Sequence, residues 1–397
     1  MIISKRGEIV NILHISPYLP SLKENHAGGV CMGKEIETLR SDNNVYVLSF
    51  IVTNKDMEIA KELSNQYYYL HRLTKFKRIL SVLSHPLLPP LFSARSTHKF
   101  IKDINLIIKT YNIHAVHAEY ASMGQYLIYI KKHYPHIKCV LVEHDFTEQS
   151  YQRKIINASC MFLRIFYIIQ LKQIHYYEKK YCKKADVVLT FNDKDNRLLT
   201  HTYKLTNVRT INPFYGIENV NPIPFHNKNV HLCFVGQMGR SENDKAALRL
   251  IEIYSRVKKV IPNLKLSIIG NNPSSKIKSY EDNMIRITGF VENIDDEISR
   301  CLLGVFPLTE GAGIKLKVLR SLALGIPVIT TSVGAEGIDP QGTVLKIAET
   351  DDEFEMSIIS ALSDKNKLEK WSQKGIDYVQ KHFAWDKSES ILKDLYS

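Results

Sequence analysis

Several familiar features are scarce or missing in this chain, and each absence removes a class of protein. Among 397 residues there are six cysteines (Cys31, Cys139, Cys160, Cys182, Cys233 and Cys301), and no two form a CxxC pair. That argues against a cysteine-built zinc site and against a disulfide framework, and it fits a reducing compartment. No low-complexity tract and no internal repeat is present. The first apolar run, residues 10–16, is not followed by GxGxxG, so the dinucleotide-binding fingerprint is missing. The opening MIISKRGEIV has no apolar core and does not read as a secretory signal. The longest apolar stretch, residues 161–171, contains Arg164 and is too short to span a bilayer. A cytoplasmic location is expected.

What is present suits a globular chain long enough for two domains. The net charge of +12 is unevenly placed. Residues 1–225 hold 30 Lys and Arg against 18 Asp and Glu, and the remaining 23 of each sign cancel. A basic half attracts anions: lipid headgroups, nucleic acid or a phosphorylated substrate. A solvated basic surface is the plain alternative. No motif interleaving aromatic and basic residues supports nucleic acid. Residues 75–92, KFKRILSVLSHPLLPPLF, combine early bases with a broad apolar stretch and three prolines. The first part reads either as an amphipathic helix lying on a membrane surface or as a core helix with a basic edge.

The rest of the chain is organised around residues 305–338, which read as strand, Gly-rich turn, helix, strand and turn. Glu310, Gly311, Ala312 and Gly313 interrupt an apolar run; a helix over 315–324 follows, and Gly325 ends it. Glycines admit a ligand close to the backbone, and free N–H groups at a helix start hold an anion. Lys315 and Lys317 add positive charge, and the Glu310 carboxylate can accept bonds from hydroxyls. The combination suits a phosphorylated polyol, and an ordinary turn of an α/β sheet equally.

Upstream, residues 115–119 (AVHAE) and 139–143 (CVLVE) read as parallel strands. Ligands of open α/β sheets gather at the carboxyl ends of the strands. That puts Glu119 and Tyr120 beside Glu143, His144 and Asp145. Gly28 and Gly29 read as a loop entering a helix over 30–39. Residues 219–229 are polar and proline-bearing, and read as an interdomain linker. Arg240, Ser241 and Asn243 stand at the start of a helix that follows a strand ending in Gly236.

The stretch GAGIKLKVLRSLALGIPVITTSVGAEGI resembles the C-terminal signature of family 4 glycosyltransferases, in the variety reading GAGIK-x-K-x-L and GAEGI. INPFYGIE, VHLCFVGQM and HFAWDKSESILKDLY resemble further segments of that family. The resemblance implies an α/β chain of GT-B type: two Rossmann-like domains facing a cleft, with a C-terminal helix crossing back to the N-terminal domain. The expected boundaries are 1–225 for the acceptor side, 226–375 for the donor side and 376–397 for the returning helix. It also implies a retaining enzyme. Such an enzyme moves a sugar from a nucleotide-diphosphate sugar to a glycan or lipid-linked acceptor, in bacterial surface polysaccharide or lipopolysaccharide synthesis. No metal and no cofactor is expected. A peripheral position on the inner face of the cytoplasmic membrane, against its anionic surface, is the accompanying expectation.

By the same resemblance, Glu310, Lys315, Glu119 and His144 are the expected catalytic residues. Donor contacts are expected from Gly28, Gly29, Gly236, Arg240, Asn243, Gly270, Phe290 and Val291. Gly311, Ala312, Gly313, Ile314, Lys317 and Arg320 are expected to join them. Tyr120 and Asp145 are expected on the acceptor. One departure stands out: the family has a second glutamate where this chain has Arg320, a donor-only group of fixed charge. The alternatives are a catalytically silent GT-B partner or sugar-nucleotide-binding subunit, and a GT-B epimerase acting on the sugar nucleotide itself.

Overall fold

The computed structural model describes residues 9–24, 27–63, 67–217, 220–311 and 314–397. They form two units, one of residues 1–214 with 385–397 and one of residues 215–384.

The first unit is built on a seven-stranded parallel sheet in the order β3-β2-β1-β4-β5-β6-β7. The strands are β1 (Asn11–Ser16), β2 (Asn44–Ile51), β3 (Tyr68–Arg72), β4 (Ala115–Glu119), β5 (Lys138–Glu143), β6 (Val187–Thr190) and β7 (Val208–Thr210). Burial on both faces explains their near-continuous apolar runs. Alternation along β1 sends Leu13 and Ile15 into one core and Ile12 into the other. The spacing of Phe100, Ile101, Ile104, Ile107 and Ile108 predicts one apolar helix face. From the helix His98–Tyr111 the first core buries all of these but Ile101, which packs against it half-buried. The second core is closed by Trp385, Leu392, Leu395 and Tyr396. Trp385 Nε1 donates to Thr38 Oγ1 at 3.0 Å, which seats the final helix, Asp386–Tyr396, on this unit.

The second unit carries a six-stranded sheet in the order β10-β9-β8-β11-β12-β13. Its strands are β8 (His231–Val235), β9 (Lys265–Ile269), β10 (Ile285–Ile287), β11 (Leu303–Phe306), β12 (Val328–Thr330) and β13 (Lys346–Ile347). In both units the strand order reverses at one place, between β1 and β4 and between β8 and β11. Those switch points are where loops diverge and leave a crevice at the carboxyl ends of the strands.

Three expectations shift. The division falls at Phe214–Tyr215 rather than 225–226. The stretch read as a linker belongs to the second unit, because Phe225 is buried in its core and Lys228 Nζ donates to Ser299 and Leu324 carbonyls. The return to the first unit comes at Trp385 rather than 376, because the helix Lys365–Phe383 buries Leu368, Val379 and Phe383 in the second unit.

Gly270 and Gly334 are required by the closest approaches. A Cβ on Gly270, which has φ 138°, would overlap the Gly236 carbonyl, and a Cβ on Gly334 would overlap Thr330 Oγ1. Because the final helix plugs the second core of the first unit, Leu392→Ala is expected to cost about 2–5 kcal/mol. Urea denaturation followed by circular dichroism reads that loss, and an unchanged midpoint would contradict the packing.

Candidate functional site

In the first unit, parallel register places His14 on β1 directly beside His117 on β4. Their rings stack with centroids 5.2 Å apart. Glu119, two residues on, lies on the same face and accepts from both at 3.1 Å. His117 Nε2 also meets Glu35 Oε2 at 3.0 Å, and its Nδ1 meets the Tyr396 hydroxyl at 2.6 Å. His144, just past β5, reaches the other oxygen of Glu119 at 2.7 Å. His14, Glu35, His117 and Glu119 are all fully buried.

Charge in this sealed group is settled by its neighbours. Burial raises the Glu119 carboxyl, but hydrogen bonds from His117, His14 and His144 outweigh it and hold the group ionised, well below the usual range. Burial opposes the His117 imidazolium, and Tyr396, Glu119 and Glu35 overcome it, so its pKa rises well above the ordinary value. Burial, helped by the charge on Glu119, pushes Glu35 up to about 7. Burial lowers His14. The result is an internal imidazolium–carboxylate pair beside a glutamate that titrates near neutral pH. His14, His117 and Glu119 also bring three ligand atoms within 4.8 Å of one another, a geometry that admits a metal ion. In this structure the same atoms share hydrogen bonds instead.

Glu119, expected among the catalytic residues, is fully buried behind His144 and hydrogen-bonds to it. His144 is sandwiched instead: Tyr120 stacks on it at 3.6 Å and 10°, and Phe191 meets it edge-on. Tyr120 sits at φ 66°, ψ 148°, a region nearly reserved for glycine, and such strain concentrates at functional sites. Tyr120, His144 and Asp145 line a cavity of about 230 Å³ together with Tyr18, Arg95, Ser122, Glu143, Ser150 and Lys154. Gly28 and Gly29 are not in a loop: both lie within the helix Ala27–Arg40, with Gly29 buried.

In the second unit, Gly236, Asn243, Lys317, Lys315 and Arg240 come together at the switch point between β8 and β11. Gly236 ends β8, and its N–H donates to Ile269 O at 3.0 Å. Asn243, in the first turn of the helix Ser241–Val260, is buried and donates to Gln237 O at 2.9 Å. Its Oδ1 accepts from Lys317 Nζ. A Cβ on Gly236 would stand 3.1 Å from that same Nζ. Burial pulls Lys317 down to about 8; Glu242 opposes the shift, while Lys315 and Arg240 add to it. These three cations therefore share one neighbourhood. Glu310, past β11, is half-exposed and accepts from Lys245 at 2.7 Å. Lys315 is largely buried, 3.9 Å from Glu336. Gly311 has φ 119°, and Ile314 packs against the second unit's core. Ala312 and Gly313 lie outside the described residues. Val291 packs on the core, and Phe290 is 76% exposed. Gly270 forms a bridge with Gly289.

Arg320 is engaged. Its guanidinium forks onto both oxygens of Asp295, with Nη2 2.8 Å from Oδ2. The sequence gives no warning of this partner, because residues 25 positions apart meet only through the fold. The same holds for Glu35 and His117, and for Lys245 and Glu310. Arg320→Glu sets two carboxylates face to face and is expected to cost about 1 kcal/mol at this half-exposed site. Adding Asp295→Arg restores most of it in a double-mutant cycle read by urea midpoints. Additive effects would mean that the pair contributes nothing.

Comparison with known proteins fits this geometry. Residues 229–364 match the family model described as glycosyl transferases group 1. An uncharacterized 44.6 kDa protein in the cps region of Klebsiella pneumoniae is 25% identical over 394 residues, covering 93% of this chain and 96% of that protein. Sucrose-phosphate synthase from Thermosynechococcus elongatus superposes with a TM-score of 0.67 at 16% identity, covering 97% of this chain and 98% of that one. TarM gives 0.67 at 10% identity, covering 98% and 99%. Anabaena HepE, in complex with UDP, gives 0.64 at 12% identity, covering 97% and 99%. The chain thus has the GT-B fold, and its residues 229–364 carry the match to the group 1 glycosyl transferases.

Proposed function

We propose that the protein is a retaining glycosyltransferase that moves a sugar from a nucleotide-diphosphate sugar to a glycan or lipid-linked acceptor. The observation that carries this reading is Lys317. It is a largely, not fully, buried cation whose hydrogen bond goes to a neutral amide, and among the described residues it has no ion pair. A buried charge without a counter-charge is costly, and a diphosphate supplies that counter-charge. Lys315 and Arg240, close enough to lower the pKa of Lys317, extend the same positive field.

In this reading Glu310 accepts hydrogen bonds from the donor sugar's hydroxyls. Lys317, Lys315 and Arg240 stabilise the charge that builds on the departing nucleotide diphosphate. The acceptor hydroxyl attacks from the face of the leaving group, which keeps the anomeric configuration. Tyr120, His144 and Asp145 orient the acceptor in the first unit. No metal is needed for this chemistry. Likeness to a protein of a cps region supports surface polysaccharide synthesis as the setting.

A membrane partner is supported by one feature of the first unit. The helix Lys75–Ser84 is turned inside out. Its apolar stripe of Phe76, Ile79, Leu80 and Leu83 is 49–71% exposed, while Ser81 is buried and donates to the Ser93 and Ser96 carbonyls. The helix Met161–Cys182 exposes Met161, Phe162, Ile165, Phe166 and Ile169 over its first half. Gln173 of that helix donates to Leu87 O, which ties the two apolar regions together. Lys75, Lys77, Arg78 and Arg164 interleave with them. Apolar side chains among bases match an anionic lipid surface. Among the described residues no helix is long and apolar enough to cross a membrane.

Two measurements test this reading. Titration with UDP-, GDP-, ADP- and CMP-sugars is expected to give one clear binder. Its affinity should be flat below pH 8 and fall by up to about tenfold per unit above it, as free Lys317 loses the proton that an anion needs. Without ligand the sign reverses: the buried lysine costs stability at neutral pH, and that cost fades as pH rises from about 8 toward the unfolded value. Lys317→Gln removes the pH dependence. A blank panel with folded protein points instead to a silent partner subunit. In flotation, the protein is expected to rise with phosphatidylglycerol vesicles, and Phe76→Ser with Phe162→Ser to remain below. Equal flotation of both would remove the membrane assignment.

A further inference from the structure

The cavity in the first unit holds a charge that the reaction as described does not use. Arg95 lines it and is only 6% exposed. Its Nη1 donates to the Leu91 carbonyl at 3.3 Å, and its guanidinium lies 4.8 Å from the Tyr18 ring. Its Nε is buried with no hydrogen-bond partner, and among the described residues Arg95 has no ion pair. An always-charged group in that state is expensive, because water has been stripped from it and no carboxylate replaces it. Lys154 lines the same cavity with its Nζ 4.2 Å from the Tyr151 ring, again with no ion pair among the described residues.

Two acids share the cavity. Glu143 does not cancel these charges: burial, with the nearby Glu178, pushes its carboxyl well up and keeps it protonated. Asp145 adjoins His144 and lines the same wall. The wall therefore carries two cations and one carboxylate, with the hydroxyls of Ser122, Thr147 and Ser150 between them.

We propose that this cavity is an anion subsite, in which Arg95 and Lys154 bind a phosphate group carried by the acceptor while Asp145 and His144 face its hydroxyl. The assignment rests on the glycosyltransferase reading and narrows it to an acceptor that is a phosphate ester. Phosphate suits the pair because its several oxygens can meet the planar fork of Arg95 and the point charge of Lys154 together. About 230 Å³ holds one headgroup or one sugar rather than a longer chain. Leu91 borders the cavity, and Leu87, four residues earlier, is 76% exposed on the apolar surface. The phosphate comes either from a lipid headgroup or from a soluble sugar phosphate.

The test uses the full chain, with glycerol 3-phosphate and dihexanoyl phosphatidic acid below its micellar concentration as probes, and UDP as a separate probe of the second unit. Calorimetry is expected to show glycerol 3-phosphate binding that weakens at least tenfold in Arg95→Gln and severalfold in Lys154→Gln. Arg95→Lys should recover part of the loss, and UDP affinity should stay within twofold throughout. Tenfold tighter binding of phosphatidic acid assigns the lipid source, and equal binding assigns the soluble one. Should Arg95→Gln fail to fold, the exposed Lys154 carries the test. Phosphate binding that is equal in wild type and variants overturns the subsite. Binding of UDP with no binding of either phosphate probe overturns it while leaving the glycosyltransferase reading intact. Phosphate bound through Arg95 by a protein that binds no nucleotide or nucleotide sugar sustains the anion site but ends its assignment to an acceptor.

Discussion

The pairing of an imidazolium with a carboxylate, sealed from water, holds the first unit's site together. Glu119 can stay ionised at zero exposure only because three histidines donate to it. His117 can stay charged only because Glu119, Glu35 and Tyr396 surround it. Those groups come from β1, the helix Ala27–Arg40, β4, the loop after β5 and the final helix. Removing one partner would leave a buried charge unanswered, which costs far more than the pair contributes when whole. The network therefore acts as a registration device. It fixes where β4 ends, and with that the strained Tyr120, its stacked His144 and the mouth of the cavity.

The second unit solves a related problem the opposite way. Lys317 at the switch point is largely stripped of water and loses affinity for its proton chiefly for that reason, with Lys315 and Arg240 adding to the effect and Glu242 opposing it. Under the proposed function a diphosphate would supply the counter-charge that Lys317 lacks, while Glu336 lies 3.9 Å from Lys315. Arg320 is kept out of the pool by Asp295, so the fixed charge that departs from the resembling family is spent on joining two helices.

Much of the fold was readable because it rests on local pattern. Continuous apolar runs gave the buried strands, the spacing of Phe100, Ile104, Ile107 and Ile108 gave a core helix, and Gly325 gave a helix end. The strand-end rule grouped Tyr120, His144 and Asp145, which do line one cavity. What stayed hidden depends on register and on distance along the chain. His14 meets His117 only once β1 and β4 are known to be neighbours. Arg95 looks like any surface arginine until Leu91 and Tyr18 enclose it. Phe225 shows why composition misplaced the linker: one buried ring among polar residues is enough to anchor a segment that reads as a tether.

The path of the chain has a consequence for the order of synthesis. Residues 215–384 are contiguous, so the second unit can close as soon as it has emerged. The first unit cannot, although nearly all of it is made earlier. Trp385, Leu392, Leu395 and Tyr396 complete its second core, and Tyr396 supplies a partner to His117. Until those residues leave the ribosome, an apolar sheet face and His117 stand open. The unit begun first is thus completed only after the other has been made, and its competence as a binding surface is withheld until the segment beyond residue 384 has emerged.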